Sequence, residues 1–496
     1  MLIIIYFLAI LSLVVLFLLP NRKKNEPFHP PPGPKGIPFI GNLLQFDTSK
    51  PHVYFAELAK TYGPILSLRF GRVPVVVVQS AKLAREVLHT QDLNFCSRPS
   101  MVGIQKLSYN GLDIAFAPYS EYQIKIKKIS IVHLLSSKRV ESFAPIRQEE
   151  VSRMIEKISS LSEASEIVNL TDLLANFARL NVCRTAFGKR YEDDKRSSSR
   201  FHKLIREAEA MFTTFFFSDY FPSIIGWLDK LTGKFSRLEK TFKDLDAFFE
   251  EIINDHLDPN KPKTEREDIV DVLLQLMNER SFELTLDHIK AVLMVILIAG
   301  TDTSAAMVIW AMTELMKSPI SMKKVQEELR NVMQHKGCIN NNDLIRLEYF
   351  KAVVKETFRL QPATPLLIVH ETIRKSTIEG YDILPKTLVY VNAWAIGRDP
   401  EIWSNPEKFM PERFLGSSIE FKGCDFELIP FGAGRRICPG IHLGIANMEL
   451  ALANLLCYFD WELPSGFKKE DIDNDTFPGI TMHKKNPLCL LAKFFL

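Results

Sequence analysis

The chain has 496 residues, 46% of them hydrophobic and 24% charged, with 62 Lys and Arg against 59 Asp and Glu for a net charge of +3. It can therefore bury a large core, and its charge balance is too even for a nucleic-acid-binding protein. Seven cysteines, at 96, 183, 338, 424, 438, 457 and 489, form no paired or CxxC pattern, which argues for reduced thiols facing the cytosol rather than a disulfide framework. Length alone suggests several domains of ~150 residues. No Gly/Ser linker or repeat period divides the chain after residue 50, so one large unit fits better.

Residues 2–19 are almost wholly apolar, broken by Tyr6 and Ser12. At ~1.5 Å per residue the run reaches about 27 Å, enough to cross a thin bilayer. Arg22, Lys23 and Lys24 follow it and no basic residue precedes it, which places the bulk of the protein in the cytosol. A cleaved signal peptide is the alternative, and it lacks both the leading basic residues and a small-x-small site. Pro30, Pro31, Pro32, Pro34 and Pro38, with Gly33 and Gly36 among them, read as a semi-rigid spacer that packs against the globular domain. The expected organisation is an anchor with its basic stop over 1–24, a proline-rich hinge over 25–40 and a single domain over 41–496.

Two β-rich runs flank Gly71 and predict a hairpin over 65–78. Apolar residues at three- and four-residue spacing predict helices over 169–186, 201–217, 240–256 and 344–360. Strand signals return near 376–392 and 476–492, so the class is mainly α with small β-sheets. Within 201–217, helical spacing puts Phe212, Phe215 and Phe216 on one face, either as ordinary core or as the wall of a pocket. Residues 287–317 predict a long helix whose apolar middle runs into Gly300-Thr301-Asp302-Thr303-Ser304. A second membrane span is disfavoured because that polar centre is costly in lipid. Burial in a soluble core leaves the polar centre to be explained by function.

Residues 431–440 read Phe-Gly-Ala-Gly-Arg-Arg-Ile-Cys-Pro-Gly, and an apolar-periodic helix continues from there to about residue 456. Cys438 thus stands just before a helix N-terminus, where the dipole and free N–H groups favour a thiolate and a lowered pKa. Gly434 and Gly440 permit a tight loop, Arg436 offers a fixed cation, and Phe431 shields the sulfur. The set makes a soft anionic ligand suited to iron.

This loop resembles the haem-binding signature of the cytochrome P450 superfamily, Phe-x-x-Gly-x-Arg-x-Cys-x-Gly, at every defined position: Phe431, Gly434, Arg436, Cys438 and Gly440. The resemblance covers nearly the whole chain. It implies the cytochrome P450 fold, haem b as cofactor and Cys438 as the thiolate ligand of its iron. By the same resemblance, Glu356 and Arg359 join Arg413 of Pro411-Glu412-Arg413-Phe414 in a buried structural triad. Ala299 to Ser304 resembles the oxygen-activation motif, with Thr303 bonding the oxygen or its water and Asp302 feeding a proton relay. Gly300 would let the helix loosen there. Plant members usually carry a Trp-Arg pair that binds a haem propionate; here Gln123 and Ile124 replace it, leaving propionate contact to Arg436 and His370, with Lys127 a further cation.

Residues 107–117, 364–368 and 477–481 line the substrate cavity in this family, which makes Phe212, Phe216, Ala299, Leu366 and Ile480 pocket candidates for a small apolar or aromatic molecule. The resemblance implies oxygen-dependent monooxygenation at the endoplasmic reticulum membrane, with electrons from NADPH-cytochrome P450 reductase. An aldoxime-metabolising oxidase, an oxygen-independent isomerase or dehydratase, and a haem-based sensor are the alternatives. The last two sit poorly with an intact Thr303 and cysteine loop. The anchor, the proline segment and the central motif look like the plant microsomal, specialised-metabolism branch.

Overall fold

The computed structural model describes residues 28–191, 195–221, 225–260, 266–279, 283–336 and 339–495. The apolar run at 2–19, the basic cluster at 22–24 and Pro222 lie outside the described residues.

The core is built on the helix Leu286–Lys317, hereafter the central helix, buried from Ile289 to Leu297 and again from Ser304 to Leu315. It starts at Thr285, whose hydroxyl lies 2.7 Å from the His288 ring in a reciprocal cap. The helix Leu170–Phe187 lies along it, capped by Asn169, which accepts from the Asp172 N–H at 3.2 Å, and closed by Gly188 at φ 63°. The helix Ile441–Tyr458, into which Cys438 leads, packs on its other side. Met307, Ala311 and Leu315 meet Leu452, Leu455 and Leu456 there in one apolar cluster. Both the central helix and Ile441–Tyr458 are long and apolar enough to cross a membrane, yet each lies mostly inside the globule.

The central helix stays α-helical through Gly300, against the expected loosening. A Cβ at Gly300 would stand 3.0 Å from Val182 Cγ2, so the glycine serves close helix approach. The π-helical turns lie elsewhere, at Glu86–Thr90 and Ser130–Leu134.

Ile65–Phe70 and Val73–Val78 form the expected hairpin, with Ile65 opposite Val78 and Gly71 turning at φ 59°. Leu388–Val391 adds in parallel and His370–Glu371 completes a four-stranded sheet. The proline segment lies on this sheet: Ser67 donates from its N–H to Pro32 O at 2.8 Å and from its hydroxyl to Pro31 O at 2.7 Å. A second sheet joins Val168–Asn169, Cys489–Phe494 and Phe459–Glu462. The strand Phe459–Glu462 has no clear sequence signal, because only Phe459 and Trp461 mark its buried side, too short an alternation to register.

The helix expected over 201–217 runs instead over Lys195–Phe212. Thr214 turns its hydroxyl back to Ala210 O at 2.7 Å, and Thr213 likewise bonds Glu209 O, competing with helix continuation. The buried Asp229 carboxylate then takes the N–H groups of Phe217 and Ser218 at 2.7 and 2.8 Å, starting a separate short helix, Phe217–Tyr220. Phe212, Phe215 and Phe216 therefore do not share a helical face.

Candidate active site

The cysteine loop is held from three sides. The Cys438 N–H donates to Phe431 O at 2.9 Å, closing the loop on itself. Gly434, at φ 65°, lies so close to the Glu86–Thr90 turn that a Cβ would stand 1.9 Å from Leu88 O. Lys127 donates from Nζ to Arg435 O at 2.5 Å and Ile437 O at 3.2 Å, so its cation clamps the loop by its carbonyls. Phe431 packs edge-on against Phe358 at 5.3 Å and lies 5.9 Å from Phe421, which shields the loop's inner side. Gly440 has φ −88°, and a Cβ there would make only an ordinary 3.9 Å contact with Cys438 Sγ, so the tight turn depends on Gly434 instead.

The expected lowering of the Cys438 pKa is overturned. Burial pushes the thiol up, outweighing the Gly440 N–H and the Lys127 cation that pull it down. The helix N-terminus acts locally, whereas desolvation depends on everything packed around the sulfur. Metal coordination deprotonates such a thiol outright.

Beside the loop lies a concentration of buried positive charge. Arg436 donates from Nη2 to Ala115 O at 3.1 Å and Ala117 O at 2.7 Å, while its Nη1 is buried without a partner. Arg98, which no sequence motif marks, is 4% exposed. It bonds Ala115 O through Nε at 3.2 Å, and Ile368 O and Val369 O through Nη1 at 2.5 and 2.9 Å. Burial and the Arg436 cation hold Arg98 well below its ordinary pKa, while burial brings Arg436 to about 10 against the pull of Asp113. Burial and the Arg436 cation bring Lys127 down to about 8. Buried Gln123 also has an unpartnered Nε2. Of the nearby acids, Asp92 accepts from the Arg435 N–H at 3.0 Å, and burial pushes Asp113 up to about 6.

His370 is buried with Nδ1 2.8 Å from Phe95 O. A carbonyl only accepts, so Nδ1 carries the proton. Burial, Arg98 and Arg436 hold the ring's pKa well below its ordinary value. Arg98 and Arg436 are the cations suited to a carboxylate, with the His370 ring beside them. Buried cations and unfilled donors next to a soft sulfur ligand fit a cofactor that brings an iron and two carboxylates.

Asp302 and Thr303 form a second group on the central helix. Thr303 donates its hydroxyl to Ala299 O at 2.7 Å, which leaves its oxygen lone pairs free to accept. Asp302 Oδ2 lies 3.1 Å from Nε2 of His483, another residue that no sequence motif marks. Ala299 is exposed although the helix is buried on either side of it, so accessible space reaches the middle of the core at this motif.

The third group is the triad. Glu356 is fully buried and takes Arg359 Nε and Nη2 at 2.7 and 2.8 Å and Arg413 Nε at 3.0 Å. The Met410 N–H adds a fourth bond at 2.7 Å, and Arg359 Nη1 reaches Gly397 O and Pro406 O at 2.5 and 2.7 Å.

The pocket candidates separate. Phe212 stacks on Phe116, with ring centroids 5.3 Å apart. Phe216 is completely buried beside Gly103 in the core, Leu366 leans on the cluster around the first sheet, and Ile480 is half-buried. Phe216→Ala is expected to cost about 3–5 kcal/mol of stability as a core truncation. Phe212→Ala should retain the fold and change ligand-induced shifts of the haem spectrum. Parallel melts and titrations check this, and equal melting temperatures for the two variants would refute the division.

The family model described as Cytochrome P450 matches residues 31–491. The chain is 49% identical over 495 residues to the 5-OH-xanthotoxin synthase of Ammi majus, covering 98% of this chain and 97% of that protein. It is 45% identical to the Strychnine-11-hydroxylase of Strychnos nux-vomica, covering 98% and 97%, and 44% identical to Cytochrome P450 83A1 of Arabidopsis thaliana, covering 97% of each. A zebrafish cytochrome P450 solved with abiraterone superposes with a TM-score of 0.74 over 90% of this chain and 99% of that one, at 25% identity. Cysteine loop, buried cations, triad and matched length agree: the chain belongs to the cytochrome P450 family, as a haem-thiolate monooxygenase that uses O2, a small organic substrate and a redox partner.

Proposed function

We propose that this enzyme binds haem b and takes electrons from NADPH-cytochrome P450 reductase to hydroxylate a small, planar, apolar plant metabolite at the endoplasmic reticulum membrane. The observation that carries the cofactor assignment is the pair of buried, unpartnered donors: Arg436 Nη1, two residues before Cys438, and Gln123 Nε2, one helical turn before the Lys127 that holds the Cys438 loop. Planarity of the substrate is supported by the Phe116–Phe212 stack, and by relatives named for a xanthotoxin and a trihydroxycoumarin. Membrane association is supported by exposed Trp227 and Leu231, at 60% and 72%, and by exposed Phe39 and Leu44 nearer the hinge, at 40% and 75%. The Arg72 N–H donates to Tyr220 O at 3.0 Å, so the 217–221 segment sits on the hairpin, towards that hinge. A single-pass anchor over 2–19 with the catalytic domain cytosolic completes the reading.

Bound haem supplies the iron at which O2 is reduced and one oxygen atom is delivered. Cys438 Sγ would ligate that iron, and Arg98, Arg436 and Gln123 would hold the carboxylates. Lys127 keeps the loop closed. Thr303 at rest has its lone pairs open to the cavity; by turning its hydroxyl away from Ala299 O it would supply a proton there, and Asp302 would replace it.

Thr303→Ala is expected to retain haem and substrate binding while the product formed per NADPH falls about tenfold and peroxide rises, because only proton supply is touched. An unchanged ratio refutes the role. The substrate itself is sought by titrating the reductase-coupled enzyme with plant metabolites and following the haem spectrum. If planar aromatic compounds give no shifts while another class does, the substrate assignment is wrong.

A further inference from the structure

Asp302 has two side-chain neighbours that no part of the cysteine site uses. The helix Lys195–Phe212 brings the Glu209 carboxyl to face Asp302 on the central helix. Glu209 Oε1 is buried and has no hydrogen-bond partner. Burial and the facing carboxylate raise the Glu209 pKa strongly, with Arg206 opposing, so Glu209 keeps a proton to donate. On the other side of Asp302 stands His483, its ring 37% exposed against 22% for Asp302.

His483 is firmly placed. Its N–H donates to Thr481 O at 3.1 Å and its carbonyl accepts from Phe477 at 3.0 Å. Its neighbour Met482 packs between Ala306 and Trp310, one and two turns beyond Asp302, and accepts the Trp310 indole N–H at 2.7 Å. Three elements thus converge here: Asp302 from the central helix, His483 from the C-terminal loop, and Glu209, with the Arg206 cation acting on it, from the first helix.

We propose that His483 conducts protons from solvent to Asp302 and that the buried Glu209, facing the same carboxylate, is a positioning residue for it. This rests on the role given above to Asp302 and Thr303. Solvent protonates His483, and the Nε2–H proton passes to Asp302 Oδ2, turning imidazolium into imidazole and carboxylate into carboxylic acid. Asp302 protonates the Thr303 hydroxyl oxygen as Thr303 releases its own proton to the reacting oxygen, leaving Asp302 ionised and ready to reload. No electron moves, and the half-exposed ring turns to take up its next proton. Were the contacts only a tether between helix and loop, the pair would affect stability and leave proton-dependent rates alone.

The test uses the full-length holoenzyme reconstituted with reductase, with NADPH and O2 and no organic compound added. NADPH oxidation, oxygen uptake and peroxide release are followed against pH in H2O and in D2O. His483→Gln is expected to slow NADPH oxidation about tenfold, flatten its pH dependence and enlarge the solvent isotope effect. Glu209→Gln, which removes the facing acid while keeping the side chain's shape, should shift the pH profile with a smaller loss of rate. Both variants should keep the reduced carbon monoxide spectrum of the parent. If His483→Gln reproduces the parental pH profile and isotope effect, the inference is overturned; loss of haem in both variants overturns it too, by making the contacts structural. Asp302→Asn separates the levels: no effect from it removes the underlying role of Asp302, whereas an effect from it and none from His483→Gln removes only the relay.

Discussion

Glu356→Ala is expected to destabilise the protein by about 3–5 kcal/mol, the cost of stranding buried charge, and to abolish haem retention. The carboxylate is fully buried and accepts four hydrogen bonds, three of them from the guanidiniums of Arg359 and Arg413. Its removal leaves Arg359, itself 1% exposed, as an uncompensated cation in the core. It also frees the Met410 N–H and loosens the segment that presents Arg413. The consequence reaches the cofactor site because Phe358, two residues along the same helix, packs on Phe431 of the cysteine loop. Glu356→Gln keeps an acceptor and should fall between parent and Ala. Denaturant melts of the apo-protein, together with haem content after purification, check this. A Glu356→Ala protein that melts with the parent and holds haem would show that the triad is dispensable.

Cys438→Ala is expected to eliminate the thiolate-type spectrum of the reduced carbon monoxide complex and with it all monooxygenase turnover. The reason is chemical: among the residues of the loop, Cys438 alone supplies a soft anionic ligand that pushes electron density to iron and favours O–O cleavage. The loop itself should survive, since Lys127, Gly434 and the Phe431 carbonyl hold it through backbone contacts. Retention of the parental carbon monoxide spectrum in the variant would disprove the ligand assignment. Cys438→Ser separates loss of the sulfur from loss of side-chain volume.

The cysteine loop was legible in the sequence because it is a local device: a left-handed glycine, a cysteine and a helix start all lie within ten residues. The Glu356/Arg359 spacing was legible for the same reason, since residues three apart share a helix face. The central helix announced itself by length, and its polar centre marked it as functional. Arg98 was not legible. Arginine before proline is unremarkable in a sequence, and this one matters only because Ala115, Ile368 and Val369 converge on it from distant segments.

Hydrophobic period and spacing by themselves determined the mainly helical class, the hairpin at 65–78 and the shared face of Glu356 and Arg359, because each depends on neighbours along the chain; the roles of Cys438 and Arg413 followed from the family resemblance. Tertiary structure alone decided the rest. Asp229 started a separate helix at Phe217 by taking the Phe217 and Ser218 N–H groups, and Val182 turned Gly300 into a packing contact. Burial reversed the expected shift at Cys438, and a carbonyl at Phe95 fixed the proton on His370. Desolvation and hydrogen bonding across distant segments have no period for a sequence to display, since they are properties of what the folded chain brings together.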